Sequence, residues 1–338
     1  VRSRGLGDVY KRQRLDGGGG PGKGQEIQMT YQEKLERVQD EVNYVIKGKE
    51  DVVCRVLAAM IAGGHILMED IPGVGKTTLA TAFARVLSLQ YHRVQFTPDV
   101  LPSDILGFSM YHRRTEEFQF HEGSVFCNLF LADELNRTSP KTQSALLEVM
   151  EEHQASVEGE TRKLPEPFIV IATQNPVGSS GTQMLPDSQL DRFLICLSMG
   201  YPAHGDAVAL LRGEVWKQAE KIQPVITLDE LCEMRRAAET VFVHDDIYEY
   251  IVSLVEATRN NPLFAMGASP RACIALLRMA RAMALLGGRD FVTAQDVQSV
   301  LFDVLRHRVR PGARARAEGK NMRACMQELF HAVKSPRC

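Results

Sequence analysis

Gly73, Gly75, Lys76 and Thr77 fall within the stretch "MEDIPGVGKTTLA", residues 68–80. Their types and order suit a polyphosphate. The glycines allow the backbone to wrap with its N–H groups pointing inward at anionic oxygens. A lysine in this place reaches β- and γ-phosphates, and the following threonine hydroxyl ligates Mg²⁺. Pro72, Val74 and Thr78 complete the loop. One position departs from the usual G-x-x-x-x-G-K-[ST] pattern, because Asp70 stands where the first glycine would be. That position ends a strand, so the side chain can turn away from the phosphates while the backbone makes the bend. Exchange of Asp70 for glycine is therefore expected to leave nucleotide affinity within about tenfold.

Further along, "NLFLADELNR" carries Asp133 and Glu134 at the end of an apolar run. A carboxylate there can hold Mg²⁺, usually through water, and its neighbour can polarise an attacking water. "IVIATQNP" ends in Asn175, which could orient that water or touch the terminal phosphate. "LPDSQLDRF" and "GASPRAC" supply Arg192 and Arg271, guanidiniums of the kind that neutralise a transferring phosphoryl group. Taken alone, Asn175 before Pro176 fits a turn equally well. The two arginines, taken alone, fit solvated or paired surface groups better.

These residues need a scaffold. The short apolar runs "HILME", "YHRVQFT", "NLFLAD", "FIVIAT" and "LICLSM" are separated by helix-length segments. Such alternation predicts an α/β fold with a parallel sheet flanked by helices. The sheet would deliver Asp133, Glu134 and Asn175 at its carboxyl edge, where ligands bind in open α/β sheets. "HILME" feeding the loop and "KTTLATAFARVL" leaving it place the loop at a helix N-terminus, which adds partial positive charge. "GFSMYHRRTEEFQFHEGSVF" and "SVEGETRKL" read as β-hairpins. After Tyr201 the strand signals vanish and helices follow. Thr227 with Glu230 forms a capping box, Ser269-Pro270 opens a helix running to Gly287-Gly288, and Thr293 caps another. The arginine run "RHRVRPGARARAEGK" is expected as a solvated face.

Residues 1–28 are expected to be a disordered, partly non-native tail, residues 29–200 the α/β nucleotide-binding domain and residues 201–338 a helical lid. The tail contains the glycine-rich "RLDGGGGPGKGQ", which cannot bury a core. A net charge of −2 gives no global affinity for polyanions. No apolar run is long enough to span a bilayer. Seven cysteines without a C-x-x-C pair fit reduced thiols, and hence a cytoplasmic setting, better than disulfides or zinc.

Together the segments "LMEDIPGVGKTTLA", "RVQFTPDVLPSDILGF", "GSVFCNLFLADELNRTSPKTQSALLEVMEE", "IATQNPVGSSGTQMLPDSQLDRFL", "GASPRACIALLRMARAMALLGGRDFVTAQDV" and "LRHRV" resemble AAA+ ATPases, specifically the MoxR family. The resemblance implies a P-loop NTPase sheet followed by an all-helical lid. It implies Lys76 and Thr77 as the Walker A pair, and Asp133 and Glu134 as Walker B, with Glu134 the catalytic acid. Asn175 then corresponds to sensor 1, Arg192 to an arginine finger acting on a neighbour's nucleotide, and Arg271 to sensor 2. Ile46 to Gly48 lie where the family contacts adenine. The hairpin around Tyr111 to Phe120 resembles the helix-2 insert lining the ring's pore. Further implications are ATP and Mg²⁺ as ligands, a homo-oligomeric, hexameric ring and a chaperone-type role on a client with a von Willebrand factor A domain. A magnesium-chelatase-like subunit and a nucleic-acid-stimulated motor are the alternatives.

Overall fold

The computed structural model describes residues 29–71, 73–175, 184–212 and 221–336. The tail 1–28 and Pro72 lie outside the described residues. The chain opens with helices α1 (Tyr31–Val45) and α2 (Glu50–Ile61). Strand β1 (Ile66–Glu69) then leads through the phosphate-type loop into α3 (Lys76–Val86). Strand β2 (Tyr91–Gln95) is followed by the short α4 (Pro102–Leu106) and a hairpin of β3 (Gly107–His112) and β4 (Glu117–Glu122). After β5 (Leu129–Asp133) come α5 (Pro140–Glu152), a second hairpin of β6 (Gln154–Val157) and β7 (Glu160–Lys163), and β8 (Ile169–Gln174). The short α6 (Asp187–Leu190), β9 (Ile195–Leu197) and α7 (His204–Leu211) complete the first half. Both hairpins and all five apolar strands stand where the sequence places them.

The central sheet has the order β2-β5-β8-β1-β9 and is parallel throughout. Strands β1, β5 and β8 feed two cores in strict alternation. Ile66, Met68, Leu129, Leu131, Ile169 and Ile171 face one. Leu67, Phe130, Ala132, Val170 and Ala172 face the other. Burial on both faces explains why these strands are continuous apolar runs instead of alternating ones. Each of the larger side chains, the leucines, isoleucines, valine, methionine and phenylalanine, contributes about 1.5–3 kcal/mol of transfer free energy.

The second half is helical: Leu228–Thr240, Asp245–Arg259, Arg271–Leu286, Ala294–Leu305, Ala313–Ala317 and Met322–Ala332. Capping boxes form at Thr227 with Glu230 and at Thr293 with Asp296. A two-stranded antiparallel pair, Phe264–Met266 with Arg310–Pro311, was not expected in this half. Its strands are too short to register a period. The larger core runs without a break from α1 and α2 into these helices. No helix among the described residues is long and apolar enough to cross a membrane.

The arginine run is not a simple solvated face, which corrects the expectation. Arg308 is 5% exposed. It donates to Asp191 Oδ1 at 2.7 Å and to the carbonyls of Leu194 and Phe193. Arg306 pairs with Glu69, Arg310 with Asp187 and Arg314 with Glu318.

Candidate active site

A cavity of about 450 Å³ opens at the carboxyl edge of the sheet. Gly73, Val74, Gly75, Lys76, Thr77 and Thr78 form one wall, with Asp133, Glu134 and Asn175 opposite. Gly73 and Gly75 have φ of +85° and +96°. L-residues with a side chain rarely adopt that conformation, so the loop requires glycine at both places. Thr77 and Asp133 bring a hydroxyl and a carboxylate to the same cavity, a hard-oxygen donor pair suited to Mg²⁺.

Lys76 is buried, and its ammonium donates to the backbone oxygen of Asp70 at 3.0 Å. Burial pulls its pKa below the ordinary lysine value, while the charges of Asp70, Asp133 and Glu134 oppose that. The Asp70 carboxylate points away from the loop. It accepts from Ser198 Oγ (2.7 Å), the Met199 N–H (2.6 Å) and the Gly200 N–H (3.0 Å). The strand-end acid thus clamps the loop's entry to the segment after β9, and Met199 of that segment lines the cavity.

The acids are held by a relay that the sequence did not disclose. Glu134 has φ 57° and ψ 45°, a left-handed conformation costing a non-glycine residue of order 1 kcal/mol. Its N–H donates to Thr173 Oγ1 at 2.8 Å, and that hydroxyl donates to Asp133 Oδ1 at 2.7 Å. Arg93, projecting from β2, reaches Asp133 Oδ2 at 2.7 Å. The Glu134 carboxylate accepts from Asn175 Nδ2 at 3.2 Å and pairs with Arg137 Nη1 at 2.7 Å. Thr173, Arg93 and Arg137 went unmarked in the sequence. Thr173 stands within "IVIATQNP", two residues before Asn175, and the pairing of β5 with β8 signals its place.

At the far end of the cavity Val45, Ile46, Met199, Pro202 and Ala209 offer an apolar surface, with Asp206 among them. Ile46 is thus among the residues lining the cavity. Gly48 does not line the cavity. Gly48 sits against Asp206, where a Cβ would stand 2.5 Å from Oδ2. Lys49 donates to the Tyr201 carbonyl at 2.8 Å.

Arg192 and Arg271 are brought to each other but not to this cavity. They line a second cleft with Gly63, Gly64 and His65, which precede β1. The loop follows β1, so four strand residues, about 13 Å, separate the two clefts along the sheet. Within the second cleft Glu151 Oε2 lies 3.2 Å from Arg192 Nε, and Glu151 Oε1 pairs with Arg271 Nη2. Arg192 Nη1 also donates to the Leu147 carbonyl at 2.6 Å. Ser269 Oγ accepts from the Arg271 N–H at 3.1 Å and donates to Asp191 Oδ2 at 2.7 Å. The helix itself begins at Arg271, with Pro270 in the cap position.

Comparisons with known proteins agree with this architecture. The family described as "ATPase family associated with various cellular activities (AAA)" matches residues 65–195, and the AAA lid domain matches residues 256–329. The chain is 45% identical over 313 residues to protein YeaC of Bacillus subtilis, covering 91% of this chain and 98% of that protein. It is 42% identical over 286 residues to Chaperone MoxR1 of Mycobacterium tuberculosis, covering 81% and 75%. A crystal structure of an inferred ATPase from Cytophaga hutchinsonii superposes with a TM-score of 0.83 at 36% identity, covering 91% of this chain and 96% of that one. A five-stranded parallel sheet with a phosphate-type loop, an AAA lid and such identity to a MoxR protein over most of both chains lead to one assignment: the chain belongs to the MoxR family of AAA+ ATPases.

Proposed function

We propose that this chain hydrolyses ATP to ADP and phosphate in the carboxyl-edge cavity and uses the cycle to remodel a partner protein. The observation that carries the reading is the convergence of Lys76, Thr77, Asp133, Glu134 and Asn175 on one cavity. The adenine packs on Ile46, Val45 and Met199, and the phosphates thread the loop toward Lys76. Thr77 and Asp133 would hold Mg²⁺, which would supply positive charge to offset the negative charge of the transferring group. Glu134 takes up a proton from the attacking water, and Asn175 fixes the orientation of that carboxylate.

Arg192 and Arg271 lie too far from their own loop to serve it. They act together on the nucleotide of a neighbouring copy, in a homo-oligomeric ring that we take to be hexameric. The Walker and sensor residues are thus divided between two subunits, which makes turnover depend on assembly. ATPase activity measured across a dilution series tests this. Specific activity falling as the ring dissociates is expected, and constant specific activity in the monomer overturns the shared site.

The client is proposed to carry a von Willebrand factor A domain, and the setting is proposed to be cytoplasmic. Similarity to Chaperone MoxR1 supports the chaperone reading over a magnesium-chelatase-like one. Pairing of Arg306, Arg308, Arg310 and Arg314 with carboxylates weighs against a nucleic-acid motor. Co-purification with Glu134→Gln held in ATP tests the client: recovery of a protein with such a domain is expected, and its absence from the captured proteins refutes that choice.

A further inference from the structure

The second cleft contains an acid for which the nucleotide chemistry gives no account. Glu151 lies in the last turn of α5, where the helix carbonyls already concentrate negative charge and a carboxylate is disfavoured. Its surroundings explain its presence. One carboxylate oxygen lies against Arg192, which precedes β9 in the sheet domain, and the other against Arg271, which opens a lid helix. The other acid lining the cleft, Asp191, is taken by Arg308 and Ser269. Besides Arg308, Arg278 also brings a guanidinium to the cleft, fixed on the carbonyls of Ala62 and Gly63.

Without Glu151, Arg192 and Arg271 would be two like charges from different parts of the fold, repelling at close range. With it, both are drawn to one point while keeping substantial exposure, 31% for the Arg192 side chain and 51% for that of Arg271. A terminal phosphate has several oxygens and can accept from two guanidiniums at once. We propose that Glu151 is a positioning residue that gathers Arg192 and Arg271 into a two-pronged receiver for the terminal phosphate bound on a second copy of this chain. The proposal rests on the shared-site reading above. Glu151 does not line the chain's own nucleotide cavity, so its effect falls on the neighbour's turnover.

Mixed-subunit kinetics tests this. Glu151→Ala alone is expected to lower kcat about tenfold while the affinity of its own cavity for a fluorescent ATP analogue changes less than about twofold. Adding Lys76→Ala subunits, which have a crippled loop but an intact arginine cleft, is expected to restore turnover at the Glu151→Ala sites. Arg192→Ala mixed with Lys76→Ala serves as the reference. Rescue of Arg192→Ala but not of Glu151→Ala overturns the proposal, since Glu151 then acts within its own subunit. Rescue of neither overturns the shared site together with the proposal. Glu151→Gln keeps the shape of the side chain and removes its charge, so a smaller loss with the same rescue is expected. Unchanged kcat in both Glu151 variants also overturns the proposal.

Discussion

Asp70 accepts a 2.6 Å hydrogen bond from the backbone N–H of Met199. With Ser198 and Gly200 as further donors, the buried carboxylate holds together the entry of the phosphate loop and the exit of β9. Truncation to Asp70→Ala leaves these donors unsatisfied in a buried place, at a cost of about 3 kcal/mol. A fall in Tm of roughly 5 °C by calorimetry is expected. Nucleotide affinity should fall too, because Met199 forms part of the cavity wall. An unchanged Tm would show that the clamp contributes nothing.

Glu134→Gln keeps the shape of the acid and its contact with Asn175 but cannot take up a proton. ATP binding by titration calorimetry should persist, and turnover should fall at least ~100-fold. Turnover at the wild-type rate would remove Glu134 from the chemistry.

Thr173→Val conserves volume and deletes the hydroxyl linking the Glu134 N–H to Asp133 Oδ1. The left-handed turn at Glu134 then loses a supporting bond, and the two acids lose their fixed relation. A roughly tenfold fall in kcat is expected, with a smaller change in KM. A change confined to KM would place Thr173 in binding instead.

Arg192→Ala should bind ATP as the wild type does, since Arg192 is absent from its own cavity. Turnover should fall by about 10³ if the guanidinium stabilises the transition state across the interface. Equal loss of ATP binding in the isolated subunit would contradict the trans assignment.

Acid should destabilise the fold through its buried histidines. Burial holds His65 neutral, with its pKa pushed down from 6.5 to about 3. Val170 N–H donates to Nδ1, and Nε2 lies 2.8 Å from the Met150 carbonyl, so the ring has one neutral tautomer. Below pH 6.5 the unfolded chain binds the proton that the folded one refuses, so stability falls as pH drops. The loss from this group between pH 7 and pH 5 is about 2 kcal/mol. His307, buried and likewise held well below the ordinary value, acts in the same direction. Urea unfolding at several pH values measures the sum, and His65→Gln should flatten the profile.

The elements and the reactive loop follow from local sequence. Strands buried on both faces must be apolar along their whole length, and the glycines at 73 and 75 are imposed by local backbone angles. These are properties of a few consecutive residues, so they can be read without a partner. For the same reason Asp133, Glu134 and Asn175 could be assigned to strand ends. What holds them in place comes from the fold, not from their neighbours in the chain. Thr173, Arg93 and Ser198 act across strands that are distant in the chain, and a threonine or serine carries no local sign of its partner. The burial of Arg308 and the bridging of Arg192 and Arg271 by Glu151 likewise depend on where the lid meets the sheet. Charge pairs between segments more than a hundred residues apart are set by packing, and a linear pattern of arginines gives no indication of which will be buried.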